Sequence, residues 1–169
     1  MTRRPAWDDS ADFDKELHKA ASFGDIEAVR KRLETVGDIN ARDGFGHTCL
    51  WRAVASGSLA AVKIIIETGA SVHIAEATGL SPLCVAVSRG DIEIANLLLD
   101  QGADARVLGS IDESLVHVAL LRCLQHERGA DLVRRLISLG ADPRKPNKFG
   151  KTPAQLAESI PDCPFAGRL

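Results

Sequence analysis

The chain has 169 residues, of which 45% are hydrophobic but only 4% aromatic, and its formal net charge is −2 at pH 7. This length suits one domain, whose core must consist mainly of small and aliphatic side chains. The slight negative charge gives no electrostatic reason to expect a nucleic-acid partner or an anionic membrane surface. No segment approaches the length of a membrane-spanning helix, and no apolar run follows the basic N-terminus as it would in a secretory signal.

The four cysteines never form a C-x-x-C pair. This spacing argues against a disulfide framework and against a zinc knuckle. We therefore expect reduced thiols and a cytoplasmic location.

The chain begins with a polar leader, residues 1–12, which carries Trp7, Asp8 and Asp9. Helical spacing then predicts one helix over Asp14–Phe23 and a second over Ile26–Val36. The second helix carries a charged face, which suits a terminal unit on which nothing stacks.

A similar helix pair recurs along the chain. Each copy begins with a capping Ser or Thr, two of them followed by Pro at the first helical position, and a glycine suited to a left-handed C-terminal position closes three of the copies. The starts Thr48, Ser81 and Ser114 are equally spaced. The recurring strings are Thr48-Cys49-Leu50-Trp51, Ser81-Pro82-Leu83-Cys84, Ser114-Leu115-Val116-His117 and Thr152-Pro153-Ala154-Gln155, with closing glycines Gly69, Gly102 and Gly140 and a weaker first copy at Leu17–Ala21 closed by Gly37.

A period of about 33 residues with this internal order resembles the ankyrin repeat and its T-P-L-H-x-A signature, and the resemblance covers roughly positions 13–159. It implies an all-α fold, an ankyrin-type solenoid of stacked helix-turn-helix repeats with short β-hairpin-like tips. Residues 13–169 would form a single domain. The expected repeats are an N-terminal capping repeat at about 13–42, repeats at 43–75, 76–108 and 109–146, and a partial C-terminal cap at 147–169.

The fourth copy departs from the pattern in two ways. Asp112 stands where earlier copies have Gly46 and Gly79, so its tip is expected to differ in shape. Five residues are also added around Cys123–Glu127, because the step from Ser114 to Thr152 exceeds the earlier steps by that number. The apolar spacing there predicts that the first helix of this copy is longer by about one turn.

Proteins that resemble ankyrins usually bind other proteins on a concave face made by the tips and the inner helices. The resemblance therefore implies a non-enzymatic protein-interaction module, monomeric when free and without a cofactor. A chain of this size would act by occupying its target, for example as a small stand-alone inhibitor or an immunity-type protein. The positions on that face are Arg42, Phe45, His47, Arg52, Ser56, Thr78, Leu80, Ser88, Arg89, Ile111, Glu113, Leu121, Arg122, Phe149 and Lys151.

Phe45, Leu80, Ile111 and Phe149 would be apolar residues on successive tips, and aromatic and arginine side chains often anchor interfaces. The alternative is that the two phenylalanines fold against neighbouring tips, in which case they would be structural.

Two further classes of function are compatible with the residues. Cys84 and His117 occupy the same place in successive copies and could form a thiol nucleophile and its base, although the family pattern already expects a histidine there as a backbone hydrogen-bonding residue. His117, Cys123 and His126 could hold a transition metal, and the structural alternative is a core cysteine with a solvated histidine. A basic cluster near residues 134–151 is typical of a solvated rim but could also contact an acidic partner.

Overall fold

The computed structural model describes residues 14–109, 113–122, 124 and 128–169, and every structural statement below concerns those residues. The predictions for the polar leader and for Ile111 lie outside them. The described residues form nine α-helices and no named strand. In chain order these helices are α1 Lys15–Phe23, α2 Ile26–Leu33, α3 Cys49–Ser56, α4 Leu59–Glu67, α5 Pro82–Arg89, α6 Ile92–Asp100, α7 Leu115–Arg122, α8 Gly129–Ser138 and α9 Pro153–Ser159.

Short polar side chains begin most of these helices. The side chains of Asp14, Asp25, Thr48, Ser58 and Thr152 each accept a hydrogen bond from the backbone N–H three residues further on. Such a cap satisfies one of the N–H groups that the first turn leaves without an intrahelical partner. The helices are nevertheless only seven to ten residues long, so packing between them must supply most of their stability.

The C-terminal end of α2 corrects the prediction from sequence. The helix was predicted to reach Val36 but ends at Leu33. Val36 lies one repeat period before Gly69, which has φ +96°, and a β-branched residue fits positive φ poorly. Gly37, which was predicted to close the first copy, does not have positive φ. The first helix pair therefore ends without the left-handed glycine that closes the later ones.

Residue contacts divide the chain into two compact units, Met1–Val85 and Ala86–Leu169. In the first unit, α1 packs against α2 and α3, while α4 packs against α2 and α3. Leu17, Leu50, Val54 and Ile65 are fully buried between these helices. We call the first helix of each pair inner and the second outer. The inner helices α1 and α3 thus contact each other, and so do the outer helices α2 and α4, as expected for stacked helix pairs.

In the second unit, α7 packs against α8 and α9, and α6 packs against α8. Arg135 of α8 connects two of these helices: its guanidinium donates to the side-chain oxygen of Asn96 at 2.8 Å and to Asp100 at 2.5 Å. The C-terminal tail contributes Phe165, which is buried, with the Arg134 guanidinium 5.6 Å from its ring centre.

The fourth copy is described in part. The N–H of Gly109 donates to the carbonyl of Glu113 at 2.8 Å, and Leu108 and Ser114 form an isolated antiparallel bridge. The predicted extra turn falls mostly on residues 123 and 125–127, which lie outside the described residues, so it stays a prediction. The assignment of one domain and its repeat boundaries also stays a prediction.

Candidate protein-binding surface

Three of the loops that precede inner helices have the same closed geometry. In each, a polar residue donates its N–H to the carbonyl four residues later, at 2.8–3.1 Å, and accepts an N–H from the glycine three residues later. These tips run from Asp43 to His47, from Glu76 to Leu80 and from Asn147 to Lys151. The glycines Gly46, Gly79 and Gly150 have φ between +76° and +93°, a region that favours glycine.

In the tips that begin at Asp43 and Asn147, the side chain of the first residue accepts hydrogen bonds from backbone N–H groups of the same turn. The carboxylate of Asp43 accepts N–H groups from Phe45 and His47, both at 2.9 Å. In the last tip the amide oxygen of Asn147 accepts from Phe149 at 2.9 Å and from Lys151 at 3.1 Å. The backbone of each phenylalanine is therefore fixed.

The side chains of these phenylalanines are not covered. Phe45 is 69% exposed and Phe149 is 70% exposed. The structure thus shows both as solvent-facing rings on ordered turns, rather than folded against a neighbouring tip. The Lys148 ammonium lies 5.2 Å from the centre of the Phe149 ring.

Asp43 is also the centre of a charged network. It accepts from both the Nε and the Nη2 of Arg52, and the imidazole Nδ1 of His47 lies 3.2 Å from its Oδ2. Burial alone would raise the pKa of Asp43, but hydrogen bonds from Arg52 and from the His47 and Phe45 N–H groups outweigh it and hold the pKa below its ordinary value of 3.8. His47 and Arg52, both predicted contacts, are therefore committed in part to this carboxylate.

The fourth residue of the recurring four-residue string, Trp51 in α3 and His117 in α7, forms a hydrogen bond to the following tip. In α3, the indole N–H of Trp51 donates to the carbonyl of Leu80 at 3.1 Å. In α7, Nε2 of His117 donates to the carbonyl of Lys151 at 2.8 Å, and Nδ1 lies 3.4 Å from the Ser114 hydroxyl. For His117 this is the structural role that the family pattern implies in place of catalysis.

His18 holds the corresponding place in α1 and is buried. Burial lowers its pKa to about 4, against the opposing effect of the Asp43 charge. The imidazole is therefore neutral at pH 7.

The family model for ankyrin repeats (3 copies) matches residues 17–108, which is more than half of the chain. The chain belongs to the ankyrin repeat family. The recognition from the repeat period and the all-α fold class are both confirmed. Ankyrin repeats are generally protein–protein interaction modules and are typically non-enzymatic. No curated protein matches this ankyrin chain.

The predicted contact residues of the first unit differ in exposure. Phe45 and Thr78 are exposed, whereas the others are half-buried. The half-buried ones are Arg42, His47, Arg52, Ser56 and Leu80.

In the second unit most predicted contact residues are exposed. Arg89 is one of them, and its guanidinium Nε donates to Asp91 at 2.6 Å. Glu113 is half-buried. The exposed ones are Ser88, Arg89, Leu121, Arg122, Phe149 and Lys151.

Phe23 was not predicted as a contact, although it is 77% exposed at the last turn of α1. A signal was available, because Phe23 lies one repeat period before Ser56 and two before Arg89, both predicted contacts. The predicted tip and inner-helix positions begin only at the second copy, so those of the first copy were left out. Lys19 was missed for the same reason, since it lies one period before Arg52.

Phe23 and Phe45 both line one groove in the first unit. Its volume is about 340 Å³, within the range of about 300–1,000 Å³ found for ligand clefts. We name it the Phe23–Phe45 groove. Its lining consists of Lys15, His18, Lys19, Ser22, Phe23, Asp43, Gly44, Phe45 and Arg52.

Cys84 and His117 lack the features of a reactive thiol and its base. Cys84 is 1% exposed and its sulfur accepts the Ser81 hydroxyl at 3.4 Å. His117 is 2% exposed, and both ring nitrogens lie within hydrogen-bonding distance of other groups. A nucleophile must reach its substrate and a base needs a free nitrogen, so these environments favour structural roles.

The sequence suggested a metal site at His117, Cys123 and His126. Two of these residues, Cys123 and His126, lie outside the described part of the chain. Among the residues that the structure does describe, no group of three His, Cys, Asp or Glu side chains is arranged to hold a metal ion. None of the described helices is both long and apolar enough to cross a bilayer.

Proposed function

We propose that this ankyrin protein is a non-enzymatic binding module that holds a partner protein with the tips and inner helices of its repeats. The observation that carries the proposal is the pair of exposed phenylalanines, Phe45 and Phe149, on equivalent turns. Exposed aromatic side chains are costly to solvate and are the type that most often anchors interfaces.

The internal order of the tips supports the same conclusion. Because Asp43 and Asn147 fix the backbone of each phenylalanine, binding orders little that is not already ordered. A preorganised anchor loses less conformational entropy on association than a mobile one.

The proposed mode of action is occupation of the target surface, as an inhibitor or immunity-type protein acting as a monomer. We place it in the cytoplasm, because Cys49 and Cys84 are buried free thiols. The Cys49 thiol donates to the Ile39 carbonyl at 3.3 Å, and burial raises its pKa to about 12, which suits a structural cysteine.

A pull-down from the native source tests the proposal. The immobilised wild-type chain should capture a protein that Phe45→Ala/Phe149→Ala loses by at least about tenfold. Leu139→Ala is the matched control, because Leu139 is 47% exposed but follows outer helix α8 instead of lying on a tip. All variants should keep the wild-type melting midpoint. Equal capture by the double variant and the wild type would show that the tips are not the binding surface.

A further inference from the structure

The Phe23–Phe45 groove has an ordered arrangement of charge and apolar surface along one side. Lys15, Lys19 and Phe23 follow each other at four-residue intervals, so they lie on one face of α1. The tip also lines the groove, with the exposed ring of Phe45. Two lysines and two exposed phenylalanines therefore line the same groove.

The charges that line the groove do not cancel. Asp43 is the one carboxylate among the described lining residues, and it is paired with Arg52. Neither Lys15 nor Lys19 forms an ion pair with any described residue, and Asp14 beside them is paired with Arg32. Within the described part of the chain, the groove therefore presents two ammonium groups without a carboxylate partner, next to apolar walls.

Like charges four residues apart on a helix repel each other, and a bound anion relieves that repulsion. We propose that the Phe23–Phe45 groove binds an acidic segment of a partner protein, whose carboxylates contact Lys15 and Lys19 and whose large apolar side chain contacts the phenyl rings. The inference rests on the proposed function and names the chemistry of the partner.

The helix geometry also sets the spacing within that segment. Lys15 and Lys19 are separated by about 6 Å along the helix axis, and Phe23 follows after about another 6 Å. An extended peptide covers about 6 Å with two residues, and side chains two apart face the same way. The expected segment therefore reads acid-x-acid-x-apolar, in either chain direction.

A display library of random peptides about 12 residues long provides the test. It is selected on the wild-type chain after depletion on Phe23→Ala/Phe45→Ala. The enriched peptides should share the acid-x-acid-x-apolar spacing. A synthetic copy of the most enriched one should bind Lys15→Glu/Lys19→Glu at least about tenfold more weakly, and its affinity should fall between about 50 and about 300 mM salt. Lys63→Glu is the matched control: Lys63 is an exposed lysine of α4 outside the groove, and this variant should bind like the wild type.

Three results would overturn the inference. They are the absence of enrichment, enriched peptides without paired acids, and binding that Lys15→Glu/Lys19→Glu leaves unchanged. Sedimentation of the free chain tests whether a second copy of this chain occupies the groove instead. A dimer that Phe23→Ala dissociates would make the groove a self-association site and would also overturn the inference. If peptide binding fails while Phe45→Ala/Phe149→Ala still abolishes protein capture, this inference falls and the proposed function stands.

Discussion

The tip of the second repeat, residues 43–47, and the tip of the last repeat, residues 147–151, have the same backbone hydrogen bonds and different polar chemistry. Asp43 is charged, buried and bound by Arg52. Asn147 makes the same two backbone contacts with a neutral amide oxygen. Both tips still present an exposed phenylalanine at the same place.

The comparison separates what the turn requires from what its surroundings add. The turn requires one side-chain acceptor at its first residue and a glycine with positive φ at its fourth. The charge at Asp43 is additional, and it couples the turn to α3 through Arg52. We expect mutations to affect the Asp43 tip more than the Asn147 tip.

The largest expected effect concerns pH and the histidine next to the Asp43 tip. Because burial depresses the pKa of His18 from 6.5 to about 4, the folded state binds a proton less readily than the unfolded chain. The resulting stability is complete above pH 6.5 and is lost as pH falls toward about 4. It amounts to on the order of 3 kcal/mol. Urea unfolding at several pH values should show this loss in the wild type and a shallower loss in His18→Gln, and parallel curves would contradict the assignment.

The next effect compares the two acceptors directly. Asp43→Ala leaves two N–H groups and the Arg52 guanidinium without their acceptor, so it should lower the unfolding free energy by about 2–3 kcal/mol. Asn147→Ala removes only neutral bonds at a more exposed site and should cost about 1 kcal/mol. Equal losses in denaturant titrations would mean that the charge at Asp43 adds nothing to the turn.

The smallest expected difference between the two tips concerns their glycines. Gly46 and Gly150 both have positive φ. At Gly150 the added Cβ meets open space, so Gly150→Ala should lower the free energy of unfolding by about 1 kcal/mol, through backbone strain alone. At Gly46 the Cβ would lie 2.9 Å from the backbone nitrogen of Ala77, so the cost should rise to about 2 kcal/mol. Thermal unfolding of Gly46→Ala and Gly150→Ala measures the difference. Identical melting midpoints would show that the contact with Ala77 relaxes freely.

The errors in the sequence predictions have local and non-local causes. The end of α2 could have been predicted, because Val36 replaces the closing glycine of the later copies. The exposure of Phe45 could not have been predicted, because the sequence does not say whether this side chain turns toward solvent or toward the next tip. Likewise, His47 and Arg52 read as free contact residues until their distances to Asp43 are known.

The sequence by itself determined the repeat period, the capped helix starts and most of the left-handed glycines, because each depends on a few neighbouring residues. The tertiary structure alone decided which side chains on the tips serve internal bonds and which remain exposed. It also brought Phe23 of the first repeat and Phe45 of the second to the same groove. Those outcomes depend on packing between residues that are distant in the chain, and local propensity carries no information about such distances.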